Sequence, residues 1–314
     1  MVRASEKMKR ARELSRERFG KRITFYHPGM FHYRGEWGKY PALSITADRC
    51  ELACLHCRGK LLEPMIHAVT PEELVKKCRR IKEKGALGVL VTGGSSKKGE
   101  LPWEGFTEAL REVKNETGLF ISVHSGIVDE ALAGALKDAG VDQALIDIIG
   151  DDGTFREVCR VPFGIEKIAG SLDALHGKAI PVIPHIIVGL KGGKLQGEYR
   201  AIEMVKKYRP EIIVIVSFMP LAGTPMEKAA PPDPYEVADV LAEARLGNPD
   251  SLIALGCARE RGRALIDILA VECGVNRIAI PADEAVKKAE EHGLAVTWEK
   301  TCCSLPEGFK GGIA

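Results

Sequence analysis

Residues 41–57 read "PALSITADRCELACLHC": a short apolar run that ends in three cysteines with the spacing C-x3-C-x2-C. The run "PALSITA" (41–47) is the first of eight. The others are "LGVLVTGG" (87–94), "LFISVHSG" (119–126), "QALIDIIG" (143–150), "AIPVIPHIIVGL" (179–190), "EIIVIVSFMP" (211–220), "LIALGCA" (252–258) and the weaker "RIAIP" (277–281). Between them lie charged segments with helical periodicity, such as "PEELVKKCRRIKEKG" and "EVADVLAEARLG". Strand-like runs alternating with helices predict repeated βα units and a parallel sheet. Their near-continuous hydrophobicity predicts burial on both faces. Eight such strands fit an α/β fold of the (β/α)8 TIM-barrel type, or a close partial barrel, with its chemistry on the loops after the strands' C-terminal ends. An open doubly wound sheet is the competing architecture, but no strand followed by G-x-G-x-x-G supports dinucleotide binding.

The chain divides into a basic N-terminal helix and lead-in (1–39), the barrel (40–295) and a short cysteine-containing tail (296–314). Residues 1–22 carry nine Lys or Arg against three Glu, although the whole chain is only +2. The stretch Ala4 to Arg18 lacks Gly and Pro and predicts a polar amphipathic helix. Such an arm suits an acidic partner or a solvated surface helix, and nucleic acid only weakly, because no RNA-binding domain follows the barrel. The composition, 28% charged and 45% hydrophobic, is that of an ordinary globular protein. No apolar run approaches a membrane span, and the start is charged rather than signal-like. Nine cysteines, an odd and clustered number, do not form a secreted disulfide framework. A cytoplasmic protein with metal-bound thiols is expected.

Cys50, Cys54 and Cys57 fall in the loop after the first strand run. Structural zinc takes four protein ligands, and no fourth Cys or His stands at a paired spacing, though His56 lies inside the motif. Three thiolates on a compact loop suit a 4Fe-4S cluster with one iron left open. The spacing and its place resemble the radical S-adenosylmethionine (SAM) superfamily. That resemblance implies a 4Fe-4S cluster on these cysteines whose open iron chelates SAM, and cleavage of SAM to a 5′-deoxyadenosyl radical. Further positions match the pattern and imply SAM contacts: the Gly93-Gly94-Ser95 turn, with Ser95 in place of the usual acid; Asp147 and Asp151 toward the ribose; Arg160 toward the carboxylate; and Gly189 with the later Glu198. The stretch "MPLAGTPM" after the sixth run fits the same pattern. His56 stands where relatives place an aromatic against adenine. No catalytic residue is assigned beyond the cluster ligands.

Residues 256–294 resemble the closing part of biotin synthase and its relatives. The three cysteines and arginine that hold biotin synthase's second cluster are not reproduced; His124 and His185 stand where inward ligands would lie, as lining residues or substrate contacts. Cys257, Cys302 and Cys303 are instead candidates for an auxiliary iron–sulfur cluster, with Ser304 beside them, while Cys78, Cys159 and Cys273 are read as core packing. The segment "ITFYHPGMFHYRGEWGKYPALSITADRCELACLHCRGKLL" looks most like the archaeal-type, two-component lipoyl synthases. That implies sulfur insertion into an octanoyl chain on a lysine of an acidic carrier, a sister radical SAM subunit, and an electron donor such as ferredoxin. Two other expectations stand beside it: another biotin synthase-like activity, such as a methylornithine-type carbon-skeleton rearrangement, and a non-catalytic radical SAM-like partner subunit.

Overall fold

The computed structural model describes residues 4–29, 32–33 and 35–309. Part of the expected "HPGMF" turn (Met30 and Phe31) and the last residues of the tail lie outside them. Eleven strands among the described residues form one parallel sheet. In chain order these are β1 (Arg22–Tyr26), β4 (Ala42–Ser44), β5 (Ile66–His67), β6 (Gly88–Thr92), β7 (Phe120–His124), β8 (Gln143–Asp147), β9 (Val182–Val188), β10 (Ile212–Ser217), β11 (Leu252–Leu255), β12 (Arg277–Ala279) and β13 (Ala295–Glu299). The remaining two, β2 (His32–Tyr33) and β3 (Glu36–Trp37), make a separate antiparallel hairpin.

Each of the eight expected runs contains one strand, and those eight lie side by side in sequence order from β4 to β12. The order never reverses, which excludes the doubly wound alternative. β5 lies beyond β4, and β1 and β13 lie beyond β12. No pairing among the described residues joins β5 to β13, so the sheet is a curled, open barrel. The curl is visible in its packing: Tyr26, Leu145, Ile183, Val214, Ala254 and Ala279, from six strands, belong to one buried lumenal cluster. Alternate residues face out, into the larger core shared with the helices.

The helices follow the strands: α1 (Glu6–Phe19), α2 (Pro71–Glu83), α3 (Phe106–Thr117), α4 (Glu130–Asp138), α5 (Asp152–Cys159), α6 (Glu166–Gly177), α7 (Glu198–Lys206), α8 (Pro234–Gly247), α9 (Ala264–Glu272) and α10 (Asp283–Glu291). Helix α1 forms where the polar periodicity predicts it, opened by Ser5, whose Oγ accepts from Met8 N–H at 3.2 Å. It buries Met8, Ala11 and Ser15, and it packs chiefly on α8. Its cations pair with this chain's own acids: Lys7 with Asp239 and Glu243, Arg12 with Glu272, and Arg18 with Asp250.

Five strands fall outside the eight expected runs: β2, β3, the two-residue β5, and two that extend the sheet, β1 and β13. β1 lies in the expected lead-in yet pairs with β12 and β13, and β13 spans the expected barrel–tail boundary. The tail then turns under the barrel. Arg277 Nη1 donates to the Cys303 carbonyl at 2.9 Å and to that of Leu305, Gln143 Nε2 donates to Ser304 O at 3.2 Å, and Glu307 N–H donates to Glu211 Oε1 at 2.8 Å. Arg277 and Gln143 each begin a strand, so residues 303–307 close the N-terminal end of the lumen. Thr301, Cys303, Ser304 and Leu305 are buried there.

At the other end, the buried Arg259 makes a bidentate pair with Asp267, with both contacts at 2.7 Å, and donates to the carbonyls of Gly256, Ala279 and Ile280. One guanidinium thus ties the ends of β11 and β12 to α9. Removing its carboxylate leaves an uncompensated buried charge, a cost of about 3–5 kcal/mol. Asp267→Ala is therefore expected to lower the urea midpoint sharply, whereas Glu290→Ala, on the exposed face of α10, changes it little.

Candidate active site

The loop between β4 and β5 has little regular structure, and its shape is imposed from two sides. On one side Gly94 N–H donates to Thr46 Oγ1 at 2.6 Å and Leu52 N–H to Ser95 O at 3.0 Å, fixing the loop to the turn after β6. On the other, Leu55 N–H donates to Val158 O at 2.8 Å, at the C-terminal end of α5. Ala47, Ala53 and Arg58 are held at positive φ, a conformation that costs L-residues about 1–2 kcal/mol each. Such strain persists only where the surroundings over-determine it. A Cβ on Gly94 would stand 2.0 Å from Arg49 O and 2.6 Å from Cys50 Cα, so only glycine lets the β6 turn press on the loop there.

The loop presents Cys50, Cys54 and Cys57 to a cavity of about 280 Å³ at the mouth of the barrel. His56, Gly93, Gly94, Ser95, His124 and Asp147 line it too. Of the sequence-derived set, these are the residues the fold brings together. Ligand atoms of Cys54, His56 and Cys57 lie within 4.8 Å of one another, while Cys50 Sγ stands apart, 3.8 Å from Ser95 O. His56 Nδ1 is buried with no protein partner. The thiols are held protonated: contact with Cys159 and burial push Cys54 well up, and contact with Cys54 and burial push Cys57 up to about 12. A cation that displaces these protons is what such a site accepts. Three thiols on one loop, an imidazole beside them with one nitrogen unpartnered, and a glycine-smoothed wall fit an iron–sulfur cluster with one open iron.

Asp147 Oδ1 stands 3.6 Å from His124 Nε2, and the His124 and His185 rings are 5.7 Å apart. Burial alone would raise Asp147, but the charge and hydrogen bond of His124, with His185 and His56, hold it below the ordinary carboxylate range. Burial and the neighbouring His124 push His185 down to about 4. The nearest contact of His185 Nδ1 is the Ile183 carbonyl at 3.1 Å; a carbonyl only accepts, so Nδ1 carries the proton and Nε2 is an acceptor.

Three sequence candidates stand outside the cavity lining. Asp151 caps α5, accepting from Thr154 N–H at 2.6 Å, and also takes Gln196 Nε2 at 3.0 Å. Arg160 ends α5 in the left-handed conformation with an exposed side chain. Gly189 donates to Glu198 Oε1 at 2.8 Å and packs on Pro232, ordering the turn after β9. Cys257, Cys302 and Cys303 form a second group, deeper. Cys303 is part of the lumenal cluster and Cys257 packs against it. Their sulfurs, like Cys50, are not within 4.8 Å of one another as a trio. The hydrogen bond from Cys303 draws Cys302 down to about 6, with Ser304 and Arg277 adding to it, whereas the same contact and burial push Cys303 well up. Sequence reasoning missed Cys159, which lines the cavity at the end of α5. The contact is tertiary and has no spacing signal.

Residues 44–205 match the radical SAM superfamily. The chain belongs to that superfamily. A curated relative is biotin synthase 2 of Polaromonas sp. (strain JS666), 27% identical over 242 residues, covering 75% of this chain and 70% of the relative. A biotin synthase of Beijerinckia indica is 23% identical over 281 residues, covering 83% and 87%. Among solved structures, methylornithine synthase (PylB) superposes with a TM-score of 0.64 at 18% identity, covering 94% of this chain and 91% of that one. The [FeFe]-hydrogenase maturase HydG gives 0.65 at 15% identity, covering 94% and 69%. These likenesses establish the fold as the partial barrel of this superfamily. Family membership implies a 4Fe-4S cluster and SAM as cofactors, and cleavage of SAM as the general chemistry.

Gly94→Ala is expected to cut iron per chain after anaerobic reconstitution to a small fraction of wild type. Gly93→Ala, whose added Cβ meets nothing closer than the Ile45 side chain at 3.0 Å, is expected to retain most of it.

Proposed function

We propose that this enzyme inserts sulfur into an unactivated C–H bond, with an octanoyl chain on a carrier lysine as substrate. The observation that carries the reading is the fold-back of the tail, which buries Cys303, next to Cys302 in the chain, in the lumenal cluster against which Cys257 also packs. Sulfur insertion needs a sulfur source as well as a radical. Two adjacent thiols plus a third that packs on the same lumenal cluster are candidate ligands for an auxiliary iron–sulfur cluster. The contact from Cys303 and the Ser304 hydroxyl, 3.1 Å from the sulfur, draw the Cys302 thiol below its ordinary range and favour an anionic sulfur in that set. The biotin synthase relatives support the same reaction class.

The cavity favours an alkyl substrate. Leu90, Leu101, Ile127, Ile146 and Ile187 are among the apolar residues of its wall, and polar groups gather near the cysteine loop and the His124–Asp147 pair. Apolar walls hold a chain by burial, and a few fixed polar groups orient it. When bound, the cluster and SAM supply the hydrogen-abstracting radical. This chain's residues position that chemistry: the loop holds the three thiols, Gly93 and Gly94 permit close backbone approach, Asp147 offers an acceptor, and the packed lumen excludes water. An acidic carrier, a sister radical SAM subunit and a ferredoxin-type donor complete the proposal. The carrier must meet the barrel mouth, because the tail closes the opposite end.

The test compares wild type with the Cys302→Ala/Cys303→Ala double variant after anaerobic reconstitution. About eight irons in wild type and about four in the variant is the expected outcome, as loss of one four-iron cluster requires. Wild type is then expected to add sulfur to octanoylated carrier and the variant only to cleave SAM. About four irons in both proteins would overturn the auxiliary-cluster reading and favour a single-cluster rearrangement.

A further inference from the structure

Above the lumenal cluster the barrel carries a polar layer set among apolar ones. On β9 the inward residues are Ile183, His185 and Ile187; Ile183 belongs to the lumenal cluster and Ile187 lines the cavity. On β8, Leu145 belongs to the cluster and Asp147 lines the cavity. Register sets Asp147 beside His185, and on the other side of His185 stands the apolar Val214. His124, from β7, completes the layer: its ring is 5.7 Å from that of His185, and its Nε2 is 3.6 Å from Asp147 Oδ1. That distance is too loose to use up either group. Polar side chains inside an apolar lumen are costly unless something hydrogen-bonds them, which points to a ligand with matching groups.

The donors and acceptors of the layer follow from its contacts. His185 Nδ1 gives its proton to the Ile183 carbonyl of its own strand, at 3.1 Å, so the far edge of the ring presents Nε2 to the lumen as an acceptor. His124 turns Nε2 toward a carboxylate, which places a proton on that nitrogen. Neighbouring rings thus offer one acceptor and one donor, beside a negative charge. A secondary amide brings the complement, one N–H and one C=O. A thioester has no N–H, and a free fatty acid sets a second carboxylate against Asp147. We propose that His124 and His185 read the amide bond that joins the acyl chain to its lysine. His185 Nε2 accepts the amide N–H, His124 Nε2–H donates to the amide carbonyl, and Asp147 positions His124. The site thereby takes the carrier-bound chain and rejects the free acid and the thioester. The inference rests on the octanoyl-lysine reading and deepens it, by naming the bond of that substrate which the barrel recognises.

The probes are an N-octanoyl-lysine peptide, its ester isostere with oxygen in place of the amide N–H, and free octanoate. Equilibrium binding of each to the reconstituted full chain is measured with SAM and without reductant. Wild type is expected to bind the ester about ten- to a hundredfold more weakly than the amide, the loss that one unpaired buried acceptor imposes, and octanoate more weakly still. In His185→Leu the advantage of amide over ester is expected to shrink to near parity. In His185→Gln, whose side-chain carbonyl again accepts, it is expected to return in part. Equal binding of amide and ester by wild type overturns the proposal and leaves the octanoyl-lysine reading standing. A preference that His185→Leu retains in full also overturns it, since the discrimination then lies elsewhere. Failure of wild type to bind the amide peptide overturns both readings. The wild-type comparison changes only the probe, so it decides even where a variant does not fold.

Discussion

The clamp on the cysteine loop is the constraint on which the site depends. A loop with three non-glycine residues at positive φ does not hold its shape alone. It is fixed because the ends of β6 and α5 arrive on either side of it with free backbone groups, the Ser95 and Val158 carbonyls. Their arrival depends on register. β4 pairs with β6 as Ala42↔Leu90 and Ser44↔Thr92, which puts Leu90 and Thr92 on the cavity wall and Gly94 against Thr46. A one-residue slip would turn that set to the outside.

The same period of two sorts polar residues within the lumen. On β7 and β8 it places Ser122 and Gln143 low and His124 and Asp147 high. At the floor, Ser122 Oγ meets the Tyr40 hydroxyl at 2.7 Å and accepts from Gln143 Nε2 at 2.9 Å, a network that satisfies its buried members and anchors the tail. At the mouth, His124 and Asp147 line the cavity, with the His185 ring 5.7 Å from that of His124. β8 and β9 bring Asp147 and His185 into register, so the charge of one bears directly on the protonation of the other. Polar groups at the floor hold structure, whereas those at the mouth remain available to a ligand.

Much of this was legible in the sequence. The eight central strands are apolar, β-branched and buried on both sides, which leaves a strong local signal in runs such as "EIIVIVS". The cysteine spacing likewise announces its chemistry within eight residues. β1 and β13 were hidden because β1 (RITFY) mixes polar with apolar residues and β13 (AVTWE) is largely exposed, so neither carries a continuous apolar run. Asp151 and Gly189 match the superfamily pattern but meet local demands here, a helix cap and a turn. Cys159 was read as core because burial looks the same in sequence whether the neighbour is a leucine or a metal ligand. Only the path of α5 decides which.

The tail is the least predictable part from its own residues. "TCCSLPE" contains one aliphatic side chain and reads as a surface segment. It is buried because the barrel's floor supplies partners for its backbone: Arg277 for two carbonyls and Gln143 for a third. Donors satisfied in this way let a polar segment enter a core that would otherwise reject it. The contact from Cys303, then Ser304, with the Arg277 charge adding to them, lower the Cys302 thiol, while the same contact and burial raise Cys303. The groups that anchor the tail thus also set the chemistry of the sulfurs it carries. Closing the floor leaves the lumen open at its mouth, beside the cluster loop.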